Sequence, residues 1–325
     1  FRTLFKSPLM QWSYVVLFLA ALIFLTVKVM TYDPGDGFKG TAAIAGTIFA
    51  AFFLLALVLG FFLLLEDIIR VIGYGYNKIV GISDSDAGYF PSRRKFISGI
   101  ALGLAALPFG ALLYGMYRGK YNYQVLKYEL EFDDLPDAFH NYQITQISDV
   151  HSGSFDDYKK EEKAQNLEDL KTMQKEMGFD LLLNSNRFLE KDGQKIALVG
   201  VENWGRGGFK KAGDLQKAKE GVSPEDFKIL LSHDPSHWED VVLHDDYHFH
   251  LTLSGHTHGM QFGVEIPGWV KWSPVKWRYK YWAGIYKELD QFINVNRGFG
   301  FIGYPGRFGI WPEISVITLK KRGLT

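Results

Sequence analysis

Three stretches in the first 117 residues carry no charged side chain: Met10 to Val27, Thr41 to Leu65 over 25 residues, and Phe96 to Met116 over 21. Each is near or above the roughly 18 to 20 residues that a helix needs to cross the hydrocarbon of a bilayer. A helix in a water-soluble protein keeps a polar face, and these runs have none. The chain therefore divides in two. Residues 1–117 read as a membrane region with transmembrane helices at about 10–27, 41–65 and 96–116, and residues 118–325 read as a mixed, charged domain rich in tryptophan and tyrosine.

Basic residues orient the membrane region. Arg2 and Lys6 precede the first run, and Arg93, Arg94 and Lys95 abut the third, so both ends belong on the cytoplasmic side. The loop "YDPGDGFKG" then lies outside. Everything after Tyr117 is delivered to the extracytoplasmic side of a cytoplasmic (inner) membrane crossed several times. "SRRKFISGIALGLAALPFGALLYG" also resembles a twin-arginine export signal, which implies the same side. Behind the second run, "EDIIRVIGYGYNKIV" alternates apolar and polar residues and reads either as an amphipathic helix on the cytoplasmic interface or as a connecting loop. The first residue is Phe1, not methionine, so an upstream segment is expected.

Composition narrows the function classes. The 36 basic and 36 acidic residues cancel, so no global positive field exists to attract nucleic acid. Cysteine is absent, which excludes disulfides, zinc thiolate sites and thiol catalysis but identifies no redox compartment.

In the second region, "VLKYELEF" (125–132) alternates with period two, as a half-buried strand does. Three later strands share an ending. "ITQIS" runs into Asp149 and His151, "KILLS" into His233, and "LTLSG" into His256 and His258. Loops beyond the carboxyl ends of strands converge in an open sheet, and a carboxylate with several imidazoles is what a divalent metal takes. "GHTHG" is the most specific of the three, because glycines on both sides of paired histidines suit close backbone approach.

"ISDVH", "LLSHDP" and "LSGHTHGMQFG" together resemble the calcineurin-like metallophosphoesterases, in their membrane-attached or twin-arginine-exported branch. The resemblance covers about residues 125 to 321. It implies a four-layer α/β fold, two sheets between helices, with two divalent metal ions (Mn, Fe or Zn) at the strand ends. By this resemblance Asp149, His151 and His258 would hold one ion, and His233 and His256 the other. Two family motifs have no counterpart here: a Gly-Asp whose carboxylate bridges the metals, and a Gly-Asn-His that supplies a ligand and a histidine for the leaving group. Gly213-Asp214 sits in "KKAGDLQKA", which reads as a loop before a helix, and Asn184, Asn186 and Asn203 lack the Gly-Asn-His context. Two divalent ions bring about +4 of charge, which one carboxylate and four neutral imidazoles neutralise poorly. Either the site takes one metal, or a segment holding both motifs is missing near 160/161.

Other segments read as scaffold. "FLEKDGQKIALVGVENW" is a hairpin with Asp192-Gly193 in a type I′ turn. After "DVH" a polar loop leads to a helix with Leu167, Leu170, Met173 and Met177 on one face, stopped by Gly178. "GRGG" (205–208) is a flexible loop that could border the cleft. "SPEDF" places Ser223 as an N-cap with Pro224 at the first helical position. "PGWVKWSPVKWRYKYWAGIYK" holds four tryptophans, three tyrosines and five basic residues, and reads either as a twisted aromatic hairpin or as a lipid-facing surface. Arg297 and Arg307, among glycines, are candidates to hold a substrate phosphate.

The expected function is hydrolysis of a phosphate mono- or diester at the membrane surface, with a lipid headgroup or lipid-linked nucleotide as substrate and the lipid bilayer as partner. A catalytically silent relative that binds a partner membrane protein, and a single-metal structural module, are the competing readings.

Overall fold

The computed structural model describes residues 7–31, 40–80, 91–151, 163–205 and 211–324. The expected junction at Lys160 and Glu161, the loop 32–39 and most of "GRGG" lie outside these residues. The chain forms two compact units, residues 1–117 with 303–305, and residues 118–302 with 306–325.

The first unit holds three helices, α1 (Pro8–Met30), α2 (Gly40–Val80) and α3 (Pro91–Tyr117). All three are long and apolar enough to cross a membrane. They pack through small residues: Ala43, Ala45, Ala51, Ala101 and Ala105 are buried, and small side chains let helix backbones approach closely. Edge-to-face contacts from Phe18 to Phe52 and from Phe52 to Phe109 link α1, α2 and α3. One expectation changes. "EDIIRVIGYGYNKIV" is neither a loop nor a separate interfacial helix but the continuation of α2, which runs for 41 residues. At 1.5 Å per residue that is roughly 60 Å, twice the hydrocarbon thickness. Ile68, Ile69 and Ile72 are exposed along one side of this extension, while Glu66, Asp67 and Arg70 lie on the opposite side, so it has an apolar and a polar face. Arg70 pairs with Glu66 one turn back at 2.5 Å, which keeps both charges satisfied on the helix surface.

The second unit is built on two main sheets and a separate two-stranded hairpin. Its elements in chain order are β1 (Gln124–Phe132), β2 (Tyr142–Gln146), α4 (Lys163–Glu176), β3 (Ser185–Lys191), β4 (Gln194–Gly200), α5 (Leu215–Ala218), β5 (Lys228–Leu231), α6 (Ser236–Asp240), β6 (Leu251–Ser254), β7 (Val264–Ile266), β8 (Val270–Trp272), β9 (Gly284–Glu288), β10 (Gln291–Val295) and β11 (Glu313–Lys321). The smaller sheet has the order β1-β11-β2 and the larger β3-β4-β5-β6-β10-β9. Strands β4, β5, β6 and β10 run parallel. That explains why nearly every residue of the short strands "KILL" and "LTLS" is buried, because a central parallel strand is covered on both faces.

Two apolar layers result. Leu130, Phe132 and Ile317 of the smaller sheet pack on Ile196, Ile229 and Leu251 of the larger. On the other face of the larger sheet, Val199, Leu230 and Ile293 lie under Leu215 of α5 and Trp238 of α6. The β3–β4 hairpin turns at Asp192 and Gly193, both with positive φ (49° and 74°), as a type I′ turn requires. α4 ends at Gly178 with φ 86°, where Phe179 N–H bonds Gln174 C=O and Gly178 N–H bonds Lys175 C=O. Ser223 does not begin a helix. Asp226 N–H returns to Ser223 C=O and the Asp226 carboxylate accepts from Ser223 N–H, which makes a single turn because β5 starts two residues later.

Candidate metal centre

The candidate ligands stand just past the carboxyl ends of strands from both sheets: Asp149 and His151 after β2, His233 after β5, and His256 and His258 after β6. A buried polar seam aligns these ends. Gln146 Nε2 donates to Ser254 C=O at 2.8 Å, Asn294 Nδ2 donates to Gln146 Oε1 at 2.7 Å, and Asn294 and Asn296 each donate to Ser315 Oγ at 2.9 Å. These bonds fix the register of one sheet against the other directly beneath the loops.

Asp149 is the hub. Its Oδ1 lies 3.3 Å from His258 Nε2, 3.4 Å from His233 Nε2 and 3.8 Å from His151 Nε2. Its Oδ2 accepts from Ser148 Oγ at 2.6 Å and from His256 N–H at 2.9 Å. One oxygen is thus tied down while the other faces three imidazoles. Burial opposes ionisation of this carboxyl, but the hydrogen bond and charge of His258, the charge of His233 and the Ser148 hydroxyl outweigh it and hold the group well below the usual carboxylate range.

The backbone is strained where the ligands sit. Asp149, His151, His256 and His258 have φ of 52°, 47°, 70° and 51°. A side chain in that region costs on the order of 1 kcal/mol or more, and such residues cluster at functional sites. Glycines permit the crowding. A Cβ on Gly255 would meet Ser148 Oγ at 1.9 Å and Asp149 Oδ2 at 2.2 Å, and one on Gly298 would meet Asp149 Cβ at 2.9 Å.

The donor set fits a divalent cation. Asp149, His151 and His258 each offer a ligand atom, and all three atoms lie within 4.8 Å of one another. Atoms that are each about 2.1 Å from one ion stand roughly 3 to 3.4 Å apart, so the trio closes on a cation with small shifts. Two imidazoles and a carboxylate suit Mn, Fe or Zn alike. His233, with its side chain 43% exposed, stands at the open side of this trio. His256 is brought close by its backbone; its ring lies edge-to-face 5.3 Å from that of His233, and its Nε2 shares a hydrogen bond with Tyr279 Oη at 2.9 Å.

The two arginines, expected as phosphate ligands, are engaged by protein groups in the structure. Arg297 is buried and clamped between Glu265 and Glu313, at 2.5 Å from each. Burial works against its charge, and the two carboxylates outweigh it and hold the guanidinium above its usual range. Arg307 is 0% exposed. It donates to the carbonyls of Arg297, Gly298 and Gly300 at 2.6 to 3.1 Å and to His258 Nδ1 at 3.1 Å. Burial lowers its pKa to about 10, partly offset by Asp149 and Glu313. It shapes the loop behind His258 and has no open face for substrate.

Asp214 and Asn184 are also committed to scaffold. The Asp214 carboxylate caps α5 by accepting from Lys217 N–H, and Asn184 Oδ1 accepts from Glu202 and Asp214 N–H. Sequence reading missed Ser148, Tyr279 and the Gln146–Asn294–Asn296–Ser315 seam. The available signal was "NVN" in 294–296, where two asparagines share the buried face of a strand that is otherwise apolar.

A family model described as a probable calcineurin-like phosphoesterase transmembrane domain matches residues 1–120. Among curated proteins, the chain is 34% identical over 144 residues to the uncharacterized metallophosphoesterase YkuE of Bacillus subtilis, covering 44% of this chain and 47% of that one. It is 34% identical over 109 residues to a transmembrane protein with metallophosphoesterase domain from Bos taurus (33% and 23% of the two chains). It is 31% identical over 130 residues to an uncharacterized metallophosphoesterase of Aquifex aeolicus (39% and 46%). The match spans less than half the length of each relative. No solved structure matches. With apolar helices of spanning length followed by a sheet domain whose strand ends gather aspartate and histidines, the chain is similar to calcineurin-like, membrane-attached metallophosphoesterases.

Proposed function

We propose that this protein is a membrane-anchored phosphoesterase that hydrolyses a phosphate mono- or diester on the extracytoplasmic side of the inner membrane, using two divalent ions. The observation that carries the reading is the closure of Asp149, His151 and His258 on one point, with His233 beside them and four of the five candidate ligands in strained backbone. Bound divalent ions supply positive charge for the phosphoryl oxygens and acidify a water for attack on phosphorus.

The chain's own groups have distinct tasks. Ser148 and the His256 N–H hold one oxygen of Asp149, so the other keeps its aim. Asp149, His151 and His258 would hold the first ion. His233 and His256 would contribute to the second, His256 on giving up its bond to Tyr279. Further negative charge is needed to offset about +4. We place its source, together with the donor to the leaving group, in a stretch of polypeptide missing between Lys160 and Glu161. Mass spectrometry of the intact polypeptide tests this, and a peptide continuous across that junction overturns it.

A substrate at the lipid surface is supported by Trp269 and Trp277, 79% and 75% exposed beside Lys276 and Arg278, since aromatics with cations suit the headgroup zone. The extracytoplasmic placement is supported by the basic residues before the first and third spans.

The deciding experiment is hydrolysis of bis(p-nitrophenyl) phosphate by the manganese-loaded full-length protein, with elemental analysis of the same samples. Replacing His256 and His258 together by alanine should remove metal and activity in parallel. Hydrolysis retained in that variant counts against the assignment.

A further inference from the structure

A cavity of about 480 Å³ opens beside the candidate metal centre. His256, whose N–H is bonded to Asp149, forms part of its wall, so cavity and centre share a residue. The other walls are mixed. Met260, Pro274 and the exposed ring of Trp277 give apolar surface, while Tyr279 and Arg278 give polar surface. Trp277 is held edge-on by Trp272 with centroids 6.0 Å apart, and it leaves most of its surface open. Arg278 lies 5.9 Å from the Tyr279 ring and makes no ion pair among the described residues.

We infer that this cavity is the subsite for the organic part of the phosphate ester and takes a flat, ring-bearing group of the nucleoside phosphate type. The proposal rests on the phosphoesterase reading of the adjoining centre and deepens it. The volume falls within the range of small-molecule sites, about 300 to 1,000 Å³. An acyl chain filling it would suit the apolar wall but bury the Arg278 guanidinium without an anionic partner, at a cost in desolvation. A heteroaromatic ring meets both demands. Its face stacks on Trp277 beside Met260, its polar edge meets Tyr279, and an anionic group of the same ligand pairs with Arg278. The shared wall at His256 places the ester phosphorus of such a ligand next to the metal centre.

The test uses phosphonates whose P–C bond replaces the ester link and so resists hydrolysis. Their binding to the manganese-loaded full-length protein is measured by calorimetry. The adenosine phosphonate should bind at least about tenfold tighter than propylphosphonate, as stacking on an aromatic side chain provides. Trp277→Ala should remove most of that preference and Trp277→Phe should keep it; the exposure of Trp277 makes both variants compatible with folding. Arg278→Gln should weaken the adenosine ligand severalfold. Equal binding of the adenosine and propyl ligands, or a preference untouched by Trp277→Ala, overturns the proposal. Tighter binding of dodecylphosphonate than of the adenosine ligand, dependent on Trp277, overturns it in favour of an acyl site. The underlying reading fails separately: ring preference with Trp277 dependence in a protein that binds no metal leaves the subsite standing and removes the phosphoesterase.

Discussion

His151 Nε2 and His258 Nε2 face each other at 2.9 Å, with ring centroids 4.8 Å apart and 36° between planes. The two residues are 107 positions apart in sequence and come from loops on different sheets, so only folding brings them together. Both nitrogens lie on the Oδ1 side of Asp149. A cation between them joins two sheets, and its binding free energy becomes folding free energy.

Chelation should therefore lower thermal stability. With free manganese at about 100 times its dissociation constant, binding contributes about 2.7 kcal/mol. For a domain of this size that corresponds to roughly 5 to 10 °C in Tm. Calorimetric melting with and without EDTA measures it. His258→Ala should abolish the metal-dependent difference, and a shift that persists in this variant locates the ion elsewhere.

Glycine substitutions separate strain from crowding. Gly298 and Gly268 have similar φ, 80° and 73°, but a Cβ on Gly298 meets Asp149 Cβ at 2.9 Å and His258 Nδ1 at 3.1 Å, whereas one on Gly268 meets nothing within 4 Å. Gly268→Ala should cost about 1 kcal/mol from backbone conformation alone, with metal content unchanged. Gly298→Ala should cost more and should also reduce metal affinity by tenfold or more, because the added methyl displaces Asp149 and His258. Equal effects on metal content in both variants would remove the crowding argument.

The metal-free protein should lose stability on mild acidification. His237 and His250 are buried, and desolvation lowers both from 6.5 to about 4; for His250 it outweighs the Asp134 carboxylate, which pulls the other way. Between those values the unfolded chain binds protons that the native state refuses. Stability therefore falls as pH drops from about 6.5 towards 4, and is flat above about 7.5 for these groups. The loss at pH 5 is on the order of 2 kcal/mol for each imidazole. His250 accepts from Lys228 N–H at Nδ1 and donates to Asp134 from Nε2. His250→Gln should flatten the slope between pH 7.5 and 5 in urea titrations made in EDTA. An unchanged slope assigns the acid sensitivity to other groups.

The strand ends were legible because apolar runs broken by Asp or His are a local pattern, as are glycines beside paired histidines. The spans were legible from the absence of charge. The roles of Arg297 and Arg307 were not, because in sequence an arginine among glycines looks the same whether it meets a phosphate or, as here, Glu265, Glu313 and backbone carbonyls from distant segments. The side-chain direction of His256 likewise depends on Tyr279, 23 residues on. The aromatic segment divided in a way no local count could give, with Tyr281 and Trp282 buried and Trp269 and Trp277 open. The length of α2 was hidden by Glu66, Asp67 and Arg70, whose charges pair along the helix surface without ending it.

Topology is testable with single cysteines, because the chain has none of its own. Lys127 lies on the exposed face of β1 and Lys78 is exposed near the end of α2. With the basic residues before the first and third spans on the cytoplasmic side, two crossings put the end of α2 inside, and a third puts β1 outside. Lys127→Cys should react with a membrane-impermeant maleimide in intact cells, and Lys78→Cys should react only after permeabilisation. Both substitutions are at exposed sites and should change stability by less than about 0.5 kcal/mol, so labelling reports access and not unfolding. The reverse pattern would turn the domain to the cytoplasm, where a phosphate ester of the inner leaflet would have to replace the extracytoplasmic substrate.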